Sequence, residues 1–286
     1  MARNEARRSR NWRQRLMGWA VLLVVGYVLY AGALFVMQDR VVWPRHMIPA
    51  VDAPSLDAYG IEQMWVDIGG GERVEAWYLR GRVLDGDVNQ RRPLVVMAHG
   101  NAELIDDHIN RMLNYRDLGV SSLMVEYRGY GRSDGSPGQG AIVDDTAKAL
   151  EMVLQRPEVD RARLIYHGRS IGGGVVCALA ERIEPSAMIL ESSFTSAAGM
   201  ATRFGVPGFL LRSPFRNDRV VKGFAGPILL LHGTRDEIIP VEHARRLKAM
   251  AKHGTLIEQD AGHNDYPRDA AKMWEDIEGW MVAEGL

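Results

Sequence analysis

The sequence predicts an α/β domain, built as a mostly parallel sheet with helices on both faces and preceded by one N-terminal transmembrane helix. Three observations predict it. Short apolar runs alternate with helical stretches about six times after residue 92, the rhythm of a sheet built from strand–helix–strand units. Leu16 to Met37 is a run of 22 residues without one charge. One serine, Ser170, stands in a glycine-rich corner, "YHGRSIGGGVV", between a strand-like and a helix-like run.

The 286 residues suffice for one large α/β domain. The net charge of −1 is unevenly placed: residues 1–15, "MARNEARRSRNWRQR", carry six arginines and one glutamate, which leaves −6 for the rest. The basic part is therefore a tail, and the domain has no nucleic-acid footprint. A lone cysteine, Cys177, excludes an intrachain disulfide framework and a cysteine zinc site. The run 16–37 follows the tail. At about 1.5 Å per residue it is long enough to cross a ~30 Å hydrocarbon core. Arginines crowd its N-terminal flank, which puts the N-terminus in the cytoplasm and the domain on the non-cytoplasmic side, periplasmic or extracytoplasmic. A cleaved signal peptide is the rival, because "AGA" at 31–33 resembles a cleavage site. Apolar residues continue past it through "LFVM", which favours an uncleaved anchor.

Residues 38–59 read as a linker, with prolines at 44, 49 and 54, and the domain as 60–286. "EQMWVDI" and "ERVEAWYL" alternate around a triple glycine at 69–71, the pattern of a β-hairpin at a sheet edge. Residues 81–92 form a polar loop. "PLVVMAHG" is a short apolar run ending in glycine, as a buried parallel strand does. A helix follows over 103–118, then the strand "SSLMVEYRG" and a helix over 140–155. "RLIYHG" leads to the serine corner and a helix over 171–183; "SAMILESS" and "PILLLHG" are strands, followed by a helix over 240–252. "GTLIEQD" is the last strand and 269–283 the last helix. Scattered Gly and Pro over 194–218 break the rhythm, leaving a place for a short cap.

Gly168-Arg169-Ser170-Ile171-Gly172 fits G-x-S-x-G in the strand-to-helix context that the motif needs. Small neighbours let strand and helix pass closely, and the hydroxyl stands at the strand's carboxyl end beside a helix N-terminus. A hydroxyl needs a base, and the base needs an orienting acid. Four histidines follow Ser170. His243 and His253 read as surface residues at a helix and His232 as turn packing, whereas His263, in "DAGHNDYP" just past the final strand, sits where a base is needed. Asp236, in "HGTRDEIIP", is the acid, with adjacent Glu237 and the more distant Glu191 as rivals. For the oxyanion, the N–H of Ile171 is one donor; the loop "AHGNAE" supplies the second, from Asn101 or else Ala102, with His99 holding that loop. "RGYGRSDGSPG" has Asp134 where a dinucleotide fingerprint requires a third glycine, and the chain contains no P-loop motif. Arg169 reads as paired with a neighbouring carboxylate.

With these residues on the page, the chain resembles the α/β-hydrolase superfamily, and within it the membrane-anchored, ABHD-type branch described as serine aminopeptidase-like. The blocks "AHGNAE", "EYRGYGRSDG", "HGRSIGGG", "ESSF", "LLLHGTRDEIIP" and "AGHNDYP" carry the resemblance, in order, over about residues 60–284. It implies an eight-stranded, mostly parallel sheet, no cofactor, and Ser170, Asp236 and His263 as nucleophile, acid and base. The chain departs from many relatives in leaving room for only a small cap. The expected activity is a serine hydrolase cleaving carboxylic esters or thioesters, with a small-molecule or lipid-derived acyl substrate, membrane contact through the N-terminal helix and no nucleic acid. The alternatives are a peptidase or amidase on the same triad, or a catalytically silent binding protein on the same fold.

Overall fold

The structure is a computed structural model that describes residues 2–49, 52, 54–84, 86 and 90–286, with side chains from Trp12 onward except Arg13. Positions 50, 51 and 53 of the expected linker, and 85 and 87–89 of the expected polar loop, lie outside the described residues.

Helix α1 runs Ala2–Val42. It extends past the predicted span at both ends, so residues 38–42, read from the sequence as the start of a linker, continue the helix. The physical reason is plain: the first proline is Pro44, and nothing before it removes a helical N–H. Within Gln14–Val42 the most apolar 18-residue stretch has a mean hydropathy of 2.4 and is only 6% buried, so by length and composition it suits a membrane anchor or a signal sequence.

The domain is one eight-stranded sheet. Its strands are β1 (Glu62–Gly69), β2 (Glu72–Leu79), β3 (Arg92–Ala98), β4 (Ser121–Val125), β5 (Val159–Arg169), β6 (Ala187–Glu191), β7 (Pro227–Gly233) and β8 (His253–Gln259). They lie side by side in the order β1-β2-β4-β3-β5-β6-β7-β8. The edge hairpin β1–β2 is antiparallel and β2 meets β4 antiparallel; every later pairing is parallel. The eight-stranded, mostly parallel sheet expected of the family is therefore present.

Helices cover both faces because the strands are apolar on both. Along β3 all seven residues are buried. Leu94, Val96 and Ala98 point into one core, with α3 (Gln139–Leu154), α4 (Ile171–Ala180) and α6 (Asn217–Gly223). Val95 and Met97 point into the other, with α2 (Ile109–Asp117) and α8 (Ala270–Glu284). That is the two-residue period of a strand read out as two cores. The predicted helix over 103–118 begins instead as a 3-10 turn, Ile105–His108, in which the Asp107 carboxylate accepts from the Leu104 N–H at 2.9 Å. α5 (Ala197–Thr202) and a 3-10 turn at Gly208–Leu210 make the small cap within the segment where it was expected; α7 (Glu242–Met250) completes the set.

Strand order places the site. From β3 the chain moves to β4 on one side and later returns to β5 on the other, so β3 and β5 are neighbours whose following loops leave in different directions. A crevice outside the carboxyl ends opens at such a switch point. Ala98 is in register with Gly168, which sets the "HGNAE" loop beside the serine corner.

Candidate active site

The corner is strained and closely packed. Ser170 has φ 54° and ψ −119°, a left-handed backbone at a residue with a side chain, a conformation costing on the order of 1–3 kcal/mol. Neighbours hold it there. The Ser170 N–H donates to the Glu191 carbonyl at 2.8 Å, and the Ser193 hydroxyl donates to the Ser170 carbonyl at 2.9 Å. The two motif glycines are needed for space. A Cβ at Gly172 would lie 2.1 Å from the Ala98 carbonyl oxygen, and one at Gly168 would lie 2.3 Å from that of Gly172. Helix α4 thus passes directly against the ends of β3 and β5, as the motif's small residues predicted.

The structure brings Ser170, His263 and Asp236 together, all three buried yet on one cavity or behind it. His263 Nδ1 lies 2.6 Å from Asp236 Oδ2, and its Nε2 lies 3.1 Å from Ser170 Oγ. A carboxylate only accepts, so Nδ1 carries the proton and donates to Asp236, leaving Nε2 to accept from the serine hydroxyl. Asp236 is itself fixed: its Oδ1 accepts from the N–H groups of Ile238 at 3.0 Å and Ile239 at 2.7 Å. Burial pushes the Asp236 carboxyl up, but hydrogen bonding to His232, His263 and the Ile239 N–H outweighs it and holds the group well below the usual carboxylate range. His232 Nε2 donates to the Ile239 carbonyl at 2.7 Å and stands 3.4 Å from Asp236, so it braces this turn from beneath.

The other expectations fall as follows. Ile171 opens α4, so its N–H has no carbonyl one turn back to receive it. Ile171, Asn101 and Ala102 line the same cavity as Ser170. The Asn101 loop is pinned: the Tyr130 hydroxyl donates to the Asn101 carbonyl at 2.9 Å, and Asn101 Nδ2 donates to the Val42 carbonyl at 3.3 Å. His99 is fully buried, with Nε2 3.0 Å from Glu126 and Nδ1 2.8 Å from the Gly100 carbonyl, so it holds the loop from behind. His253 is exposed; His243, read as a surface residue, is half-buried against Thr195, its Nδ1 accepting the Thr195 N–H at 3.2 Å.

Glu191, the rival acid, is engaged elsewhere. Arg111 holds it with two bonds of 2.5 and 2.8 Å, His167 Nε2 lies 3.2 Å away and Arg169 Nε 3.3 Å away. Burial raises its carboxyl, yet the Arg111 charge and the His167 and Arg111 hydrogen bonds outweigh burial and hold it well below the usual range. Arg169 is paired as expected, with Glu103 as well as Glu191, and it also donates to the His263 carbonyl at 3.0 Å. It therefore brackets the loops carrying Ser170, Asn101 and His263. Burial pushes Glu103 up, but His108, Arg169 and the Gly100 N–H together hold it at about 2. Arg111 lies in no motif, and the blocks that contain Glu103 and Tyr130 give those two residues no role; only their packing shows what they do. Among the described residues, no group of three or more His, Cys, Asp or Glu side chains is arranged to hold a metal ion.

The cavity in front of Ser170 measures about 830 Å³, within the usual size of small-molecule pockets. Its walls are mostly apolar. One side is the cap, with Met200, Phe204 and Leu210; the other is α1, with Tyr30, Leu34 and Phe35.

Comparisons with known proteins agree with this architecture. A family profile described as serine aminopeptidase, S33, matches residues 89–206. The chain is 30% identical over 253 residues to YfhR of Escherichia coli K12, covering 86% of each protein. It is 30% identical over 209 residues to the α/β-hydrolase domain-containing protein WAV2 of Arabidopsis thaliana, covering 66% of each. Among solved structures, the Pyrococcus furiosus esterase Pf2001 superimposes with a TM-score of 0.65 at 17% identity, over 84% of this chain and 97% of that one, a likeness of fold. By profile, sequence relatives and fold together, the chain belongs to the α/β-hydrolase family.

Proposed function

We propose that this protein is a membrane-anchored serine hydrolase that cleaves carboxylic esters or thioesters through a Ser170–His263–Asp236 triad. One observation carries the reading: the unbroken chain from Ser170 Oγ to His263 Nε2 (3.1 Å) and from His263 Nδ1 to Asp236 Oδ2 (2.6 Å), ending at an apolar cavity. His263 takes the hydroxyl proton as Ser170 Oγ bonds to the substrate carbonyl carbon. The tetrahedral oxyanion is received by the N–H groups of Ile171 and Asn101. The bond to the leaving oxygen or sulfur breaks as His263 returns the proton to it, giving an acyl-enzyme and a free alcohol or thiol. Water then attacks the acyl carbon with His263 again as base, releasing the acid and restoring Ser170. The cavity supports esters over free-amine peptides. Its two lining carboxylates, Asp39 and Glu103, are each paired with an arginine, Arg212 and Arg169, so neither is left to receive a substrate ammonium.

A fluorophosphonate probe tests the triad. We expect it to label the wild type covalently, to miss Ser170→Ala, and to label Asp236→Ala and His263→Ala far more slowly. A folded wild type that takes no label would favour a silent binding protein instead.

The anchor reading is supported by the arginine-flanked apolar α1 and by its contacts beyond Ala33. Trp43 is buried against Tyr127 and Phe215, and Gln38 accepts from the Arg212 N–H at 2.8 Å. The arginine tail supports a cytoplasmic N-terminus with the domain across the membrane. A reporter active only outside the cytoplasm, fused after Leu286, should give signal; signal from a cytoplasm-only reporter would reverse the orientation.

A further inference from the structure

If α1 were only a tether, its length would separate the domain from the bilayer. Instead the cap climbs back along it. The Tyr27 hydroxyl donates to the Gly205 carbonyl at 2.9 Å, and the Tyr30 hydroxyl donates to the Phe204 carbonyl at 2.9 Å. Lower down, Gln38 Nε2 donates to the Leu210 carbonyl at 3.3 Å, and Arg212 pairs with Asp39.

These contacts fix a depth. About 20 residues cross a ~30 Å hydrocarbon core. Any such window within the charge-free stretch 16–37 leaves Tyr27 about 12–15 Å below the surface from which the chain emerges toward the domain, at 1.5 Å per residue. Residues 204–205 of the cap are held at that level, inside the leaflet. The local chemistry fits hydrocarbon. Backbone polar groups there are best satisfied internally, and six at the tip are: the N–H groups of Arg203, Phe204, Gly205 and Val206 donate to the carbonyls of Met200, Ala201, Thr202 and Ala201, while the two tyrosines satisfy the carbonyls of Phe204 and Gly205. Phe204 and Phe209 are 67% and 86% exposed, an unfavourable display to water and a suitable one to acyl chains. Arg203 is the one charge at the tip, on a stem long enough to carry its head toward the lipid headgroups.

We propose that the cap and the C-terminal half of α1 enter the leaflet together and form a lateral portal, through which the long acyl chain of a bilayer lipid ester reaches Ser170. The cavity runs the right way: its lining starts at Tyr30 and Phe204, at leaflet depth, continues along Leu34 and Leu210, and ends at Ser170 and His263. The chain of a lipid drawn down this route never crosses water, and its ester carbonyl arrives at the triad. Cleavage breaks the acyl carbon–oxygen bond, leaving a fatty acid and the lipid alcohol. The chemistry of this inference rests on the serine-hydrolase reading; its geometry does not.

The test uses the full chain in phosphatidylcholine vesicles. Phe209 is exposed and lies outside the cavity lining, so Phe209→Cys carries an environment-sensitive nitrobenzoxadiazole dye without touching the site, while Cys177 is buried. Blue-shifted emission, quenched by doxyl labels on the lipid acyl chains, is expected. Water-like emission quenched by aqueous iodide would overturn the portal. In parallel, Phe209→Glu should lower hydrolysis of a vesicle-embedded hexadecanoyl ester about tenfold while leaving a soluble butyrate ester within twofold. Equal effects on both esters, or none on either, would count against the portal. Leu34→Trp, which narrows the route, should lower the ratio of hexadecanoyl to butyrate turnover; an unchanged ratio would likewise count against it. A wild type inactive on the butyrate ester and unlabelled by fluorophosphonate would defeat the hydrolase reading, while the dye still decides where the cap sits.

Discussion

On the proposed triad, Ser170→Ala should lower ester turnover by on the order of 10⁶, and Asp236→Asn by about 10⁴, the scale on which triad members act. Both variants keep the fold. Alanine fits the corner as serine does and gives up one hydrogen bond, the 3.1 Å contact to His263. The asparagine result follows from how Asp236 is held. Its Oδ1 already accepts two backbone N–H groups, from Ile238 and Ile239, so the amide oxygen of asparagine takes that place. The NH₂ group then faces His263 Nδ1, now a donor where an acceptor stood. Nδ1 must accept, the ring proton moves to Nε2, and Nε2 no longer accepts from Ser170. Steady-state rates with a soluble ester, beside thermal melts, check both. A Ser170→Ala variant near wild-type rate would remove the nucleophile assignment, and an unimpaired Asp236→Asn would remove the acid.

Glu191→Ala destabilises the protein by about 3–5 kcal/mol, the cost of stripping one partner from a buried ion pair. The carboxylate is fully buried, and its removal leaves the guanidinium of Arg111, only 17% exposed, without its two bonds, with Arg169 and His167 losing a partner too. At about 2–4 °C per kcal/mol for a domain of this size, the melting midpoint should fall by roughly 10 °C. The shape of the pH–rate profile should survive, because Glu191 makes no bond to His263. This separates the two carboxylates that sequence position alone left in competition. A variant with wild-type melting but a displaced pH–rate profile would return Glu191 to the triad.

Much of the site was legible because its residues are constrained by local backbone. A strand that must turn into a helix within a few residues needs glycines on both sides, and Gly168 and Gly172 sit where a Cβ would strike backbone within 2.3 Å. His263 and Asp236 were found because each follows a strand whose carboxyl end must face the site. The hairpin, the parallel strands and most of the helices follow from two periodicities, and helix α1 from its charge-free run 16–37 and the absence of proline before Pro44.

What the sequence by itself determined, then, is the order of strands and helices, the serine corner, its histidine and its aspartate, and a helix able to cross a membrane. Tertiary structure alone decided that Glu191 is engaged by Arg111 and Arg169 rather than by His263, that Arg169 ties three loops together, and that α1 is one wall of the cavity. The physical reason is range. Turn geometry and hydrophobic period act over a few neighbouring residues and are written into them. The contacts Arg111–Glu191, Arg169–His263 and Tyr27–Gly205 join residues 80, 94 and 178 positions apart, and only the packing of the sheet and cap selects those partners.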